Sequence, residues 1–131
     1  MSQPMYQYPH VEIDLGKLKE NLAALQERCQ ASSIEISGVV KGFHALPPAA
    51  KVYQETGVSS IASSRLDQLR ELKEAGIRTP LMLIRIPMPC ETEEAVKWSD
   101  ISLNSEISVL RLLDKAARRQ GKVHQVILMV D

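Results

Sequence analysis

Apolar residues in this chain follow two different spacings. Five short runs are rich in apolar residues, and between them leucines and other apolar residues recur every three or four positions. Three of the runs are almost continuously apolar, whereas the run 58–63 is rich in serine and the run 101–104 alternates apolar and polar residues. Short apolar runs of this length predict strands, and the unbroken character of the first run after Ser37 suggests a strand of a parallel sheet that is covered on both faces. The five predicted strands are residues 35–41, 58–63, 81–84, 101–104 and 125–130.

The segments between these strands predict helices. The first helix is expected to begin at Asp14, whose carboxylate can cap the exposed amides of the first turn, and its apolar stripe should face the core. The stripe consists of Leu15, Leu18, Leu22, Leu25 and Cys29. Further helices are expected over 47–55, 64–75, 91–98 and 105–119.

Several residues mark where these helices should begin and end. Ser64 and Asp67 form a pair that resembles a capping box, and either Asn104 or Ser105 can cap the last helix. Glycines follow three of the helices, as is common at helix C-termini, namely Gly57, Gly76 and Gly121. A short strand over residues 10–13 is expected before the first helix.

The regular alternation of strand and helix predicts an α/β fold with a parallel sheet and right-handed crossovers. A doubly wound five-stranded domain fits the length of 131 residues, whereas a complete eight-stranded barrel needs more chain. The last strand is strongly apolar and has no helix after it to cover the sheet edge. This favours a partial TIM-type (β/α) barrel, its first five parallel strands, over residues 10–131, preceded by a loose segment, residues 1–9.

Composition narrows the possible partners and location. The 16 basic residues cancel the 16 acidic ones, and aromatic residues are few, which disfavours a nucleic-acid binder. No apolar run approaches the roughly 20 residues that span a bilayer, and the N-terminus lacks a signal-peptide pattern, so we expect no membrane partner and a cytoplasmic location. Cys29 and Cys90 have no metal-site or redox spacing and are expected to be reduced thiols.

Polar residues follow the predicted strands at the edge where parallel α/β proteins build their sites. These residues are Lys41, Ser63 with Ser64, Arg85, Asn104 and Asp131. Lys41 ends an apolar run, and a buried lysine has a lowered pKa that suits it to form imines with carbonyl compounds. The alternative is a lysine whose amine simply reaches water.

The other candidates have structural alternatives as well. Arg85 could lower the pKa of Lys41 or hold an anion, or it could pair with an acidic residue of a neighbouring loop. Asn104 could serve only as a helix cap. His44, three residues after Lys41, could carry protons, although a surface position is favoured.

Several segments of the chain follow one another in a characteristic order. They are Val11-Glu12-Ile13-Asp14-Leu15, Val39-Val40-Lys41, Leu72-Lys73-Glu74-Ala75-Gly76-Ile77, Leu83-Ile84-Arg85-Ile86-Pro87, Asp100-Ile101-Ser102-Leu103-Asn104-Ser105-Glu106 and His124-Gln125-Val126-Ile127-Leu128-Met129-Val130-Asp131. Their order and spacing resemble the N-terminal barrel of the alanine racemase family of fold-type III pyridoxal-phosphate enzymes, and more closely its alanine/ornithine racemase branch. The resemblance runs from about residue 10 to the last residue.

The resemblance implies a function. Lys41 would carry pyridoxal 5'-phosphate as a Schiff base and act as one of two bases in racemising an amino acid, with Arg85 and Asn104 as further candidate cofactor contacts. The second base in the family is a tyrosine from the C-terminal β-domain of the partner subunit, so the resemblance implies a homodimeric full-length protein and an inactive fragment.

One position departs from the family pattern. The family places a phosphate-holding tyrosine four residues after the lysine, where this chain has Ala45.

Two rival functions stay open. A non-catalytic pyridoxal-phosphate-binding protein of the same barrel type is the main alternative. A receiver-type signalling domain fits poorly, because it needs acidic residues where this chain has Lys41 and Arg85.

Overall fold

The computed structural model describes residues 9–130 as a sheet of five strands covered by helices. The helices are α1 (Leu15–Gln30), α2 (Pro47–Thr56), α3 (Leu66–Glu74), α4 (Thr92–Trp98) and α5 (Ile107–Gln120). The strands are β1 (Ser37–Val39), β2 (Ser60–Ser63), β3 (Leu81–Leu83), β4 (Ile101–Asn104) and β5 (Gln125–Leu128). Short 3₁₀ turns cover Lys41–Phe43 and Pro89–Glu91. Most of the predicted loose segment 1–9, and the strand-end residue Asp131, lie outside the described residues.

The strands are all parallel and lie in the order β1-β2-β3-β4-β5. Each of the five helices packs against the next one along the chain, so the helices form one continuous layer. A doubly wound sheet would instead reverse its strand order at a switch point. Strictly sequential strands with a single helix layer are the arrangement of a (β/α) barrel segment, which confirms the predicted fold.

Local chemistry explains the ends of several helices. Asp14 caps α1 as predicted, because its Oδ1 accepts a hydrogen bond of 3.0 Å from the Lys17 amide. Pro47 begins α2, where a missing amide hydrogen costs nothing. Gly57 and Gly121 end α2 and α5 with left-handed φ angles of 80° and 61°, which glycine adopts without strain.

Two predicted caps do not form. Helix α3 begins after Arg65, and no side chain caps it; the Asp67 carboxylate accepts from Arg65 and from the Gln68 amide instead of pairing with Ser64. Helix α5 begins after Glu106, so neither Asn104 nor Ser105 caps it. Both helices bury an apolar face, Leu69 and Leu72 in α3 and Val109 and Leu113 in α5, and such packing supplies most of the stability of helices in proteins, with or without a side-chain cap.

The N-terminal predictions were partly wrong. Residues 10–13 form no strand, and Val11 is 89% exposed, because no strand of the described residues lies beside this segment to pair with it. In α1 only Leu22 is buried, while Leu15 and Leu25 are exposed. The main packing partner of this helix is α2, and α1 buries a narrower apolar stripe than its sequence predicts.

The core lies between the sheet and the helix layer. Its most enclosed large side chains include Ile61, Leu69, Leu72, Leu81 and Leu83. All four residues of β2 are buried. Burial on both faces was expected of β1 and is wrong there, because Val39 is 44% exposed. The last strand was also expected to be of the buried type, but every residue of β5 is exposed. No helix in residues 9–130 is long and apolar enough to cross a membrane.

Candidate active site at the carboxyl edge of the sheet

The loop that carries Lys41 follows β1 directly and is held at both ends by backbone hydrogen bonds. The Val40 amide donates to the Ala62 carbonyl over 2.9 Å, and the Ala45 amide donates to the Val40 carbonyl over 2.9 Å. His44 and Ala45 adopt φ angles of 56° and 52°, which are uncommon for residues other than glycine. Strained backbone of this kind collects at functional sites.

The Lys41 side chain is exposed, which corrects the prediction of a buried amine. Strand β1 ends at Val39. Val40 has a φ of −108° and a ψ of −2° and directly precedes a 3₁₀ turn, so Lys41 is part of this turn and not of the strand. Within residues 9–130 its amine takes part in no ion pair or hydrogen bond. The amine is therefore free to react, but burial is not the reason.

A chain of three polar side chains lies beside this loop. Ser63 Oγ donates to Gln68 Oε1 over 2.5 Å, and Gln68 Nε2 lies 3.3 Å from His44 Nδ1. Ser63 is fully buried and Gln68 is 2% exposed. His44 is exposed, as favoured from the sequence, but it has this hydrogen-bond partner.

The sequence analysis did not single out Gln68. The signal was present, because Gln68 lies four residues before the buried Leu72 and therefore on the inward face of α3. A polar side chain at such a position must find hydrogen-bond partners in the interior.

Arg85 pairs with a loop acid, as the structural alternative proposed. Its guanidinium donates to both carboxylate oxygens of Glu91, to the Ser64 carbonyl over 2.7 Å and to the Ile86 carbonyl over 3.2 Å. The hydrogen bonds from Arg85 hold the pKa of Glu91 below its ordinary value, although partial burial opposes this effect. Arg85 thus lies at the predicted edge with its charge already neutralised by the protein.

Asn104 is buried inside the molecule. Its Nδ2 donates to the carbonyl and the hydroxyl oxygen of Ser102, and its Oδ1 has no hydrogen-bond partner among residues 9–130. Ser102 is in register with Leu83 of the core, so Ser102 and Asn104, two residues apart, both face the helix layer. Asn104 on β4 is also distant from the Lys41 loop, which follows β1, because three strand spacings along the sheet, or roughly 14 Å, separate these two strands.

His124 extends this polar cluster toward β5. Its Nε2 lies 2.8 Å from Ser102 Oγ. Burial lowers the pKa of His124, while the Ser99 backbone and the Asp100 carboxylate act in the opposite direction. The hydrogen bonds among Ser102, Asn104 and His124 therefore join these side chains into one buried cluster between β4, β5 and α5, although Asn104 Oδ1 and His124 Nδ1 have no hydrogen-bond partner among the described residues.

The candidate residues at the carboxyl edge of the sheet fit the aldehyde end of pyridoxal phosphate, because the Lys41 amine, unpaired within the described residues, can react with an aldehyde. Arg85 is engaged by Glu91, and Asn104 faces the helix layer, so their assignment as cofactor contacts stays a prediction that this arrangement does not favour. Within the described part of the chain no three His, Cys, Asp or Glu side chains gather where they could hold a metal ion.

Comparison with known proteins identifies the family. Residues 13–131 match the family model described as alanine racemase, N-terminal domain. The chain belongs to the alanine racemase family. Among its relatives in this family are the ornithine racemase of Acetoanaerobium sticklandii, 41% identical, and the lysine racemase of Thermotoga maritima, 32% identical, each aligned over 95% of this chain and 35% of the relative. An alanine racemase of Methylacidiphilum infernorum is 32% identical over 99% of this chain and 34% of the relative.

The coverage shows how much of the family fold is present. The chain spans about a third of the length of these curated relatives, 34 to 35%. Solved structures agree on the fold: D-threonine aldolase from Filomicrobium marinum superposes with a TM-score of 0.78 over 91% of this chain and 33% of that one, at 16% identity. Alanine racemase of Clostridium difficile 630 gives 0.70 over 86% and 29%, at 20% identity. The fold is therefore the N-terminal barrel portion of alanine racemases.

Proposed function

We propose that this chain is the N-terminal part of a pyridoxal-phosphate-dependent amino-acid racemase of the alanine/ornithine type, with Lys41 as the lysine that carries the cofactor. The observation that carries the proposal is the position of the Lys41 amine, unpaired within the described residues, on an anchored loop at the carboxyl edge of the sheet. Relatives named as ornithine, lysine and alanine racemases support an amino acid as substrate.

Lys41 would have two tasks in this reaction. Bound pyridoxal phosphate withdraws electrons from the substrate Cα and makes its proton easier to remove. The Lys41 amine would hold the cofactor and, with substrate bound, would move a proton to or from Cα on one face. The anchored loop would hold Nζ in place for this proton transfer, which depends on a fixed geometry.

Racemisation also needs an acid or base on the opposite face of Cα. By resemblance to the family we assign this role to a tyrosine from the C-terminal β-domain of a partner subunit, so the active protein is proposed to be a homodimer of a longer chain. The 131-residue chain by itself is expected not to racemise amino acids. We place the protein in the cytoplasm, which the free thiols of Cys29 and Cys90 support.

Trapping the cofactor tests the role of Lys41. The chain is incubated with pyridoxal phosphate, reduced with borohydride, and mapped by mass spectrometry. Lys51 of α2 is the matched control, because it is also exposed and has no ion pair within the described residues. Labelling of Lys41 well ahead of Lys51 is expected, and equal labelling of the two lysines would reject the proposal.

A racemisation assay tests the proposed activity. Alanine, ornithine, lysine and serine are offered to the 131-residue chain and to a longer polypeptide of the family length that contains it. Activity of the longer protein alone is expected. Full activity of the short chain would disprove the need for a second base from elsewhere, and labelling of Lys41 without activity in either protein would favour the non-catalytic binding protein.

A further inference from the structure

We propose that His44 positions the Lys41 loop, and that Ser63 and Gln68 hold its imidazole in the tautomer with the proton on Nε2. The loop role rests on the function proposed above for Lys41. The hydrogen-bond relay itself rests only on the geometry of Ser63, Gln68 and His44.

The direction of each hydrogen bond in the relay follows from the orientation of the Gln68 amide. Its Oε1 lies 2.5 Å from Ser63 Oγ and can only accept, so the Ser63 hydroxyl donates to it. The Ser63 oxygen in turn accepts from the Arg65 amide over 3.2 Å. Gln68 Nε2 can only donate, and it donates to His44 Nδ1 over 3.3 Å. A neutral His44 that accepts at Nδ1 carries its proton on Nε2.

Burial of Ser63 and Gln68 raises the free-energy cost of breaking the hydrogen bond to His44. Ser63 is fully buried and Gln68 is 2% exposed, and buried polar groups are costly unless they are hydrogen-bonded. Within the described residues His44 Nδ1 is the group at hydrogen-bond distance from Gln68 Nε2. The relay therefore draws the imidazole toward α3 and the end of β2.

The loop needs such an anchor because its backbone is strained. His44 and Ala45 are consecutive residues with positive φ, a conformation that non-glycine residues adopt rarely. The His44 amide also donates to the Lys41 carbonyl over 3.2 Å, which links the position of the imidazole to the backbone of the lysine. Without the side-chain anchor, the loop would relax and the Lys41 amine would occupy a wider range of positions.

Two substitutions of His44 separate the hydrogen bond from the backbone strain. His44→Gly accepts the positive φ but offers no acceptor to Gln68. His44→Asn also tolerates positive φ, and its amide oxygen can accept from Gln68. The pair therefore differs mainly in the presence of the anchor.

The first measurement is the rate at which pyridoxal phosphate and borohydride label Lys41 relative to Lys51. The ratio is expected to fall about fivefold in His44→Gly, as loss of one hydrogen bond that holds a conformation would predict, and to stay near the wild-type value in His44→Asn. Circular dichroism establishes that each variant is folded. An unchanged ratio in folded His44→Gly would overturn the positioning role.

The second measurement is independent of the cofactor. Long-range ¹H–¹⁵N spectra of the imidazole assign its tautomer, and the Nε2-protonated form is expected at neutral to mildly alkaline pH. An Nδ1-protonated His44 would mean that the Gln68 amide is reversed, and it would overturn the relay. Failure of wild-type Lys41 to label ahead of Lys51 would instead remove the proposed function and, with it, the positioning role.

Discussion

At the scale of single residues, Arg85 and Glu91 show how a polar strand end can serve the fold. The guanidinium connects three segments, because it reaches the Ser64 carbonyl after β2, the Ile86 carbonyl after β3, and Glu91 in the following 3₁₀ turn. The side chains of the pair are only 35% and 23% exposed. Partial desolvation raises the cost of leaving either charge without its partner.

Glu91→Gln is expected to lower the free energy of unfolding by about 1–2 kcal/mol at neutral pH, because Arg85 loses a charged acceptor in a partly buried setting. Urea unfolding measures the change. Glu27→Gln, on an exposed position of α1, is the control and should alter stability by less than about 0.5 kcal/mol. A Glu91→Gln protein as stable as the wild type would contradict this account of Arg85.

The same substitution has a consequence for pH dependence. The pKa of Glu91 is lowered in the folded protein from its ordinary 4.5, so the folded state binds fewer protons than the unfolded state. Its stabilising contribution is complete above the ordinary pKa and is lost as the pH falls below it. Wild-type stability should therefore decline more steeply than that of Glu91→Gln on acidification.

At the scale of elements, the contact between β1 and α2 depends on the absence of a side chain at Gly38. A Cβ added at this position would lie 2.0 Å from Cδ1 of Tyr53 in α2. The ring also lies 5.9 Å from the ring of Phe43, in the Lys41 loop. The spacing of strand, helix and loop is therefore set around one aromatic ring.

Gly38→Ala is expected to destabilise the protein by about 1–3 kcal/mol through overpacking. In a Tyr53→Ala background the added methyl group has room, so its cost should largely disappear, and a double-mutant cycle measures this coupling. Gly42→Ala is the control, since no atom of the described part of the chain lies within 4 Å of the place its new methyl group would take and its φ is not positive. Equal costs of Gly38→Ala in both backgrounds would refute the close contact.

At the scale of the whole molecule, one side of the sheet ends in an exposed strand. Val126, Ile127 and Leu128 of β5 are 45%, 44% and 58% exposed. Among the described strands β5 pairs only with β4, so its other edge presents unpaired backbone groups. Apolar strands with open edges promote pairing with further chains.

The 131-residue chain is accordingly expected to associate in a concentration-dependent way. Ile127→Lys should weaken this association, because an inserted charge opposes edge-to-edge pairing. Ile107→Lys is the control, since Ile107 is 64% exposed at the start of α5, away from the strand edge. Sedimentation velocity at several concentrations compares the proteins, and equal effects of the two substitutions would argue against pairing through β5.

The amino-acid sequence by itself determined the order and type of the elements from residue 14 onward, the parallel sheet and the family. Strand β4 has the predicted bounds, and the other strands lie within the predicted runs. These features depend on periodicity and composition over a few neighbouring residues, which a sequence states directly. The same local patterns identified Lys41, Arg85 and Asn104 as polar residues at the carboxyl ends of predicted strands.

Tertiary structure alone decided the exposure and the contacts of those polar residues. It exposed Lys41 by ending β1 two residues earlier than predicted, paired Arg85 with Glu91, and turned Asn104 toward the helix layer. It also joined His44 to Gln68, 24 residues away. Such outcomes depend on which distant side chains meet and on where each strand stops, and both are set by packing of the whole chain rather than by local pattern.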